Sequence, residues 1–214
     1  MREYYGSSIQ DRLRTWAFKR RITAVRKLLL KHKVKIDSVL DVGSGAFFMG
    51  YLLIKNFDSR YVGVDILPLQ QLKKYRRIME IATGKKIETL RASATFLPFK
   101  DRVFDTIFSL DVLEHLEKPQ SALQEINRVS SGKAILSLPL ENILQKLIRL
   151  PILLSEGILK DPTSSYHYIG EFKSYIEMWT NLLRKQCIDI EYSPVGIFPV
   201  FNFYAIHLCE TKQE

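Results

Sequence analysis

The run Val39-Leu40-Asp41-Val42-Gly43-Ser44-Gly45 is apolar up to the point where it breaks into Gly-x-Gly. Two glycines at this spacing let main chain pass close to a ligand, because no Cβ stands in the way. The third glycine of the dinucleotide-binding pattern would fall at Phe48. That glycine helps seat a helix N-terminus near a pyrophosphate, so its absence favours a ligand without phosphates and speaks against a nicotinamide dehydrogenase. Tyr61-Val62-Gly63-Val64-Asp65 is a second apolar run that ends in a carboxylate. A carboxylate there can accept hydrogen bonds from both hydroxyls of a ribose, although acidic residues at strand ends also serve as helix N-caps. Asp111 and Glu114 fit the N-cap and N3 positions of a capping box, with Asp in place of Ser or Thr. His115 and His167 titrate near neutrality when unperturbed, so either can take a proton from a reacting group, or serve only as a satisfied structural histidine.

Elements must hold these residues in place. From Ser38 onward, strand-like runs (Ser38 to Asp41, Arg60 to Asp65, Ile87 to Ala92, Asp105 to Ser109, Lys133 to Leu138) alternate with helix-like runs (Ala46 to Lys55, Leu69 to Thr83, Pro119 to Val129). Such alternation predicts an α/β fold, a Rossmann-like three-layer sandwich with a mostly parallel sheet. Thr83-Gly84 is a helix stop, since Gly tolerates the left-handed turn. After Pro139 the pattern changes to an apolar stretch, Glu141 to Leu159, with a break at Pro151. A helix over Phe172 to Gln186 follows, then strands at Asp189 to Tyr192 and Phe201 to Glu210. The tight connection between these two predicts an antiparallel C-terminal hairpin at a sheet edge and brings the count to seven strands. Ile9 to His32 reads as one or two helices, with Phe18, Ile22, Val25 and Leu29 forming the packing stripe.

The four segments Val39 to Gly45, Tyr61 to Asp65, Ala94 to Phe99 and Phe104 to His115 resemble, in order, the motifs of class I S-adenosylmethionine-dependent methyltransferases. The branch is the type 11-like one that modifies small molecules and lipids. The resemblance covers roughly Val39 to Pro139 and implies S-adenosylmethionine as cofactor. It places Asp41, Gly43, Ser44 and Gly45 against the methionine part, Asp65 on the ribose and Ile66 on the adenine face. Ser93 and Ala94 would meet the adenine edge, and Ser109 and Leu110 would lie beside the sulfonium. Tyr4, Tyr5 and Tyr166 are substrate-side candidates, and His167 lies where many relatives place a substrate-facing histidine. Two positions depart from the family. Phe47 stands where a glycine is usual, and a ring there would narrow or reshape the methionine pocket. Ser93 stands where an aspartate is usual, so a hydrogen bond to the adenine amino group would lack charge assistance, at a cost of ~1 kcal/mol. The two departures together also fit a catalytically degenerate S-adenosylmethionine-binding protein.

The formal net charge of the 214-residue chain is +9, and residues 1 to 35 carry eleven Lys or Arg against Glu3 and Asp11. The charge sets off a basic N-terminal cap, 1–35, and the resemblance implies a methyltransferase domain over the neutral remainder, 36–214, with 141–170 expected as a variable apolar lid. The basic arm can attract a membrane surface, another anionic surface or nucleic acid, or it can be a solvated helix face. A nucleic-acid-associated methyltransferase is disfavoured because Ser109-Leu110-Asp111-Val112 replaces the Asn/Asp-Pro-Pro-aromatic signature of amino-methylating enzymes. Ten large aliphatic residues between Ile143 and Leu159 suit a small, apolar or lipid-like acceptor, or simply a buried helix. Cys187 and Cys209 form no CxxC pair, so no metal site is expected, and as isolated buried thiols they would suit a cytoplasmic protein, soluble or peripheral at a membrane. The polar, basic first residues lead us to expect no signal peptide, and a monomer or homodimer is expected.

Overall fold

The structure is a computed structural model in which residues 9–47, 50–51, 58–140, 187–194 and 203–210 are described. Seven strands form one sheet: β1 (Ser38–Val42), β2 (Arg60–Asp65), β3 (Glu88–Arg91), β4 (Phe104–Leu110), β5 (Ser130–Leu140), β6 (Cys187–Pro194) and β7 (Phe203–Glu210). Their order across the sheet is β3-β2-β1-β4-β5-β7-β6. The first five are mutually parallel, and β7 runs antiparallel between β5 and β6. The C-terminal pair is the expected antiparallel one, with β6 as the outer strand and β7 inside.

Both faces of the central strands are apolar, which is what a sheet covered by helices on each side requires. Alternation along the strands sends Val39, Tyr61, Phe108, Ile135 and Leu208 to one core. The opposite core takes Leu40, Val42, Val62, Val64, Ile107 and Leu136. The first core is covered by α1 (Ile9–Lys31) through Ala24, Val25, Leu28 and Leu29, and by α2 (Leu69–Thr83) through Leu72 and Met79. The second is covered by α3 (Pro119–Val129) through Ala122, Ile126 and Val129. The basic residues Arg20, Arg26, Lys27 and Lys31 lie on the exposed side of α1.

Helix ends follow local chemistry. Gly84, at φ 70°, caps α2 and donates its N–H to the Glu80 carbonyl at 2.9 Å. Proline opens α3 at a position whose N–H would have no helical partner. Of the helix expected over Ala46 to Lys55, residues 46, 47, 50 and 51 are described: Ala46 and Phe47 still belong to the glycine turn rather than to a helix, and 50 and 51 are helical. The expected helices of 141–159 and 172–186 lie outside the described residues.

One expectation is corrected. Cys209 is disulfide-bonded, and Cys187, the chain's other cysteine, is its Cα partner across β6 and β7. The separation along the chain hides this pairing, because it depends on strand register. The argument from free thiols to a reducing compartment goes with it.

The chain runs from β1 outward through β2 to β3, then returns to lay β4 on the other side of β1. Where successive connections diverge in this way, a crevice opens at the carboxyl ends of the strands. Here that point lies beyond β1 and β4, beside β2.

Candidate active site

The glycine turn sits at the carboxyl end of β1. Gly43 and Gly45 have φ of 74° and 49°, and the N–H groups of Gly43 and Ser44 donate to the Val64 carbonyl at 2.7 and 3.0 Å. A Cβ on Gly43 would lie 2.2 Å from Val112 Cγ2, so the loop after β4 packs directly on the turn. A Cβ on Gly45 would meet nothing within 4 Å among the described residues. Gly45 thus borders open space.

Asp65 faces that space from the end of β2. Its Oδ2 accepts from the Gly45 N–H at 2.7 Å, and its Oδ1 accepts from the Leu67 N–H at 3.0 Å. Each carboxylate oxygen keeps a lone pair for another donor. Ile66, the next residue, is 68% exposed, an unusual state for an isoleucine flanking a sheet. Structure therefore brings Gly43, Ser44, Gly45, Asp65 and Ile66 together.

Asp41 lies beneath the turn, with Tyr61 as its partner. It is 4% exposed and accepts a short hydrogen bond from the Tyr61 hydroxyl. Burial pushes its carboxyl up to about 7; the Tyr61 hydrogen bond opposes this, and the Asp65 charge adds to it. Burial and the Asp41 charge likewise hold the Tyr61 phenol well above its usual value.

Phe47 does not behave as its position in the loop suggests. It keeps the left-handed φ of a glycine, 59°, yet its ring is wholly buried in the core. A Cβ on Gly63 would lie 2.2 Å from Phe47 Cε1, and the ring meets Tyr61 edge-on with centroids 6.3 Å apart. Gly63 has ceded the volume that Phe47 fills. The expectation that this ring would narrow the methionine pocket is corrected: it goes into the packing beneath the turn.

Ser93 and Ala94 lie on the loop that follows β3. The Ala92 N–H donates to the Asp65 carbonyl at 3.1 Å, which joins this loop to the end of β2. Ser93 is engaged within its own turn, its Oγ accepting from the Thr95 N–H at 3.2 Å and lying 2.8 Å from Thr95 Oγ1. Ala94 is buried, whereas Phe96 is 75% exposed.

Ser109 and Leu110 end β4, in register with Leu136 and Ser137 of β5. Ser109 Oγ, Ser44 Oγ and Glu114 Oε2 are all buried without a hydrogen-bond partner among the described residues. The capping box expected at Asp111 and Glu114 is not formed. Leu113–His115 is a single 3-10 turn preceded by Val112, with no side-chain cap. Asp111, at φ 56°, is instead ion-paired with Arg21 of α1 and accepts from Ser137 Oγ at 2.9 Å. Glu114 is 7% exposed; burial pushes its carboxyl up to about 7, against the pull of Arg21. His115, by contrast, is exposed. His167, Tyr4, Tyr5 and Tyr166 lie outside the described residues.

Sequence reasoning missed Tyr61, Val112, Arg21 and Glu114 as parts of this region. It also missed Glu125 and Arg128 of α3, which hold the Leu97 end of the Ser93 loop. Only the last pair carried a local signal, opposite charges three residues apart on a helix.

Fold and geometry place a glycine turn, a carboxylate and an exposed isoleucine together at the carboxyl edge of a Rossmann-like sheet. Residues 40–138 match the family model described as a methyltransferase domain. With the strand order above, that makes this segment similar to the methyltransferase domains of the class I S-adenosylmethionine-dependent family. An uncharacterized protein of Methanocaldococcus jannaschii, MJ0638, is 36% identical over 108 residues, covering 50% of this chain and 42% of that protein. The chloroplastic tocopherol O-methyltransferase of Arabidopsis thaliana is 27% identical over 97 residues, covering 45% and 28%. The matches thus span less than half the length of these curated relatives. In fold, the chain is similar to magnesium protoporphyrin IX methyltransferase of Synechocystis PCC 6803, solved with bound SAH (TM-score 0.64, 16% identity, 99% of this chain and 92% of that one).

Proposed function

We propose that this protein is an S-adenosylmethionine-dependent methyltransferase acting on a small acceptor that carries an apolar or lipid-like body. The observation that carries the reading is the Asp65 carboxylate, turned onto Gly45 at the edge of an open space that a Cβ would enter. The residues present fit the cofactor. Asp65 would hold the ribose hydroxyls, Ile66 would lie on one adenine face, and Ser93 and Ala94 would meet the adenine edge. Gly43, Ser44 and Gly45 would line the methionine part, with Asp41 supporting them from below. Ser109 and Leu110 would face the reacting sulfur. S-adenosylmethionine supplies a methyl group already activated on a sulfonium.

The chain's task is then to align an acceptor and exclude water, effects that together supply up to roughly 7–11 kcal/mol. For an acceptor that must lose a proton, Glu114 suits the role better than His115. It is buried, has an oxygen without a hydrogen-bond partner among the described residues, and titrates near neutrality, whereas His115 faces solvent. The tocopherol enzyme among the relatives supports a lipid-like acceptor. Contact of residues 1–35 with a membrane surface belongs to the same reading; a role on nucleic acid has no comparable support. Because the Phe47 ring lies in the core, it no longer supports the rival reading of a degenerate protein.

Isothermal calorimetry with S-adenosylhomocysteine tests the reading. Wild-type protein should bind with a stoichiometry of about one, and Asp65→Ala should lose on the order of 2–3 kcal/mol of affinity, the worth of hydrogen bonds to a charged acceptor. Silence of the wild-type protein at millimolar ligand removes the proposal.

A further inference from the structure

We propose that Glu125 and Arg128 of α3 are positioning residues for the nucleoside end of the crevice, setting where the Ser93–Leu97 loop stands relative to Asp65. The inference rests on the cofactor reading above. It starts from the hydrogen bonds of one guanidinium. Arg128 Nε donates to Glu125 Oε1 at 2.7 Å, and Nη2 donates to Glu125 Oε2 and to the Leu97 carbonyl, both at 2.8 Å. Nη1 donates to the Phe99 carbonyl at 2.8 Å and to Asp101 Oδ1 at 2.7 Å. All five N–H groups of the guanidinium are used. Glu125 Oε2 in turn accepts from the Leu97 N–H at 2.7 Å, so α3 grips both main-chain polar groups of Leu97.

A surface ion pair within one helix would end at Glu125 and carry little energy. Three of the five acceptors here lie on the segment from Leu97 to Asp101, two of them main-chain carbonyls. Between those carbonyls stands Pro98, which has no N–H to offer a turn of its own. The other end of the loop is fixed at β2. Ala92 N–H donates to the Asp65 carbonyl, and Arg91 Nε donates to the Ile66 carbonyl at 3.1 Å. The residues between these anchors form a turn closed on itself by Ser93, Thr95 and Phe96. A closed turn held at two ends is placed by its anchors. One anchor is the main chain of the proposed ribose carboxylate, and the other is Arg128 with Glu125. Lysine cannot substitute, because a point charge with three donors cannot serve five acceptors arranged around a planar fork.

The test uses full-length wild type, Arg128→Lys and Glu125→Gln, each examined by calorimetry with two probes and by thermal melting. The probes are S-adenosylhomocysteine and S-inosylhomocysteine, in which a carbonyl replaces the adenine amino group. Wild type should prefer the first. Arg128→Lys should weaken S-adenosylhomocysteine roughly five- to tenfold and narrow the ratio between the probes, with melting shifted only slightly. Glu125→Gln should fall between the two, and decides the matter if Arg128→Lys does not fold. Unchanged affinity and ratio in the variants, or equal losses for both probes that track melting, would overturn the inference, as would a wild type that binds both probes equally. A wild type that binds neither refutes the cofactor reading itself.

Discussion

Replacement of Phe47 separates two effects that usually coincide. The ring is wholly buried and fills the volume left by Gly63, so Phe47→Ala should cost about 3–5 kcal/mol in lost packing and residual cavity. Phe47→Gly removes one more carbon and, at an ordinary site, would be the worse change because glycine gives the unfolded chain extra freedom. At φ 59° the order should reverse. A Cβ in the left-handed region costs roughly 1–2 kcal/mol, which alanine retains and glycine sheds. After the entropic disadvantage of glycine is subtracted, Phe47→Gly should be more stable than Phe47→Ala by about 1 kcal/mol. Urea unfolding of both variants at one protein concentration measures the difference directly. Since the ring points into the core, S-adenosylhomocysteine affinity of the glycine variant should stay within about threefold of wild type, a shift of under 1 kcal/mol. Glycine less stable than alanine, or affinity gained tenfold when the ring is removed, would refute this account of Phe47.

Two further outcomes follow from the site and the sheet. Glu114 titrates at about 7 in the folded protein against 4.5 ordinarily, so the folded state keeps its proton to higher pH than the unfolded state does. Stability should therefore fall as pH rises between these values, and Glu114→Gln should shrink the stability gap between about pH 5 and about pH 8 by on the order of 2–3 kcal/mol; an unchanged gap contradicts the burial assigned to this carboxyl. Asp41, also raised to about 7, acts in the same direction and should leave a residual slope in that variant. Reduction of the Cys209 disulfide frees the β6–β7 pair and should lower stability by ~3 kcal/mol, read as a drop in melting temperature with dithiothreitol; alkylation of both cysteines without reductant would show that the bond is absent.

The fold was largely legible in the sequence because strands buried on both faces and amphipathic helices leave short-range marks. Gly84 and Pro119 punctuate α2 and α3 by local rules alone. The glycine turn and Asp65 were legible for the same reason, since a loop that must admit a ligand leaves its requirement in adjacent residues. What escaped depends on partners distant in the chain. Asp111 looked like a cap because its neighbours allow one, but Arg21, ninety residues earlier, takes it instead. Glu114 looked like the other half of that cap and is buried instead. Phe47 looked like an obstruction because the space for its ring comes from a missing side chain at Gly63 on another strand. The two cysteines looked independent until register placed them opposite one another.

The central claim is that Asp65 and the turn at residues 43–45 together hold a nucleoside. A crystal structure of the protein grown with S-adenosylhomocysteine tests it most directly. The account predicts density beside Gly45, both ribose hydroxyls within hydrogen-bond distance of the Asp65 carboxylate, and the adenine ring against Ile66. A nucleoside found elsewhere on the molecule, or one lying in the crevice with its ribose turned away from Asp65, would contradict it.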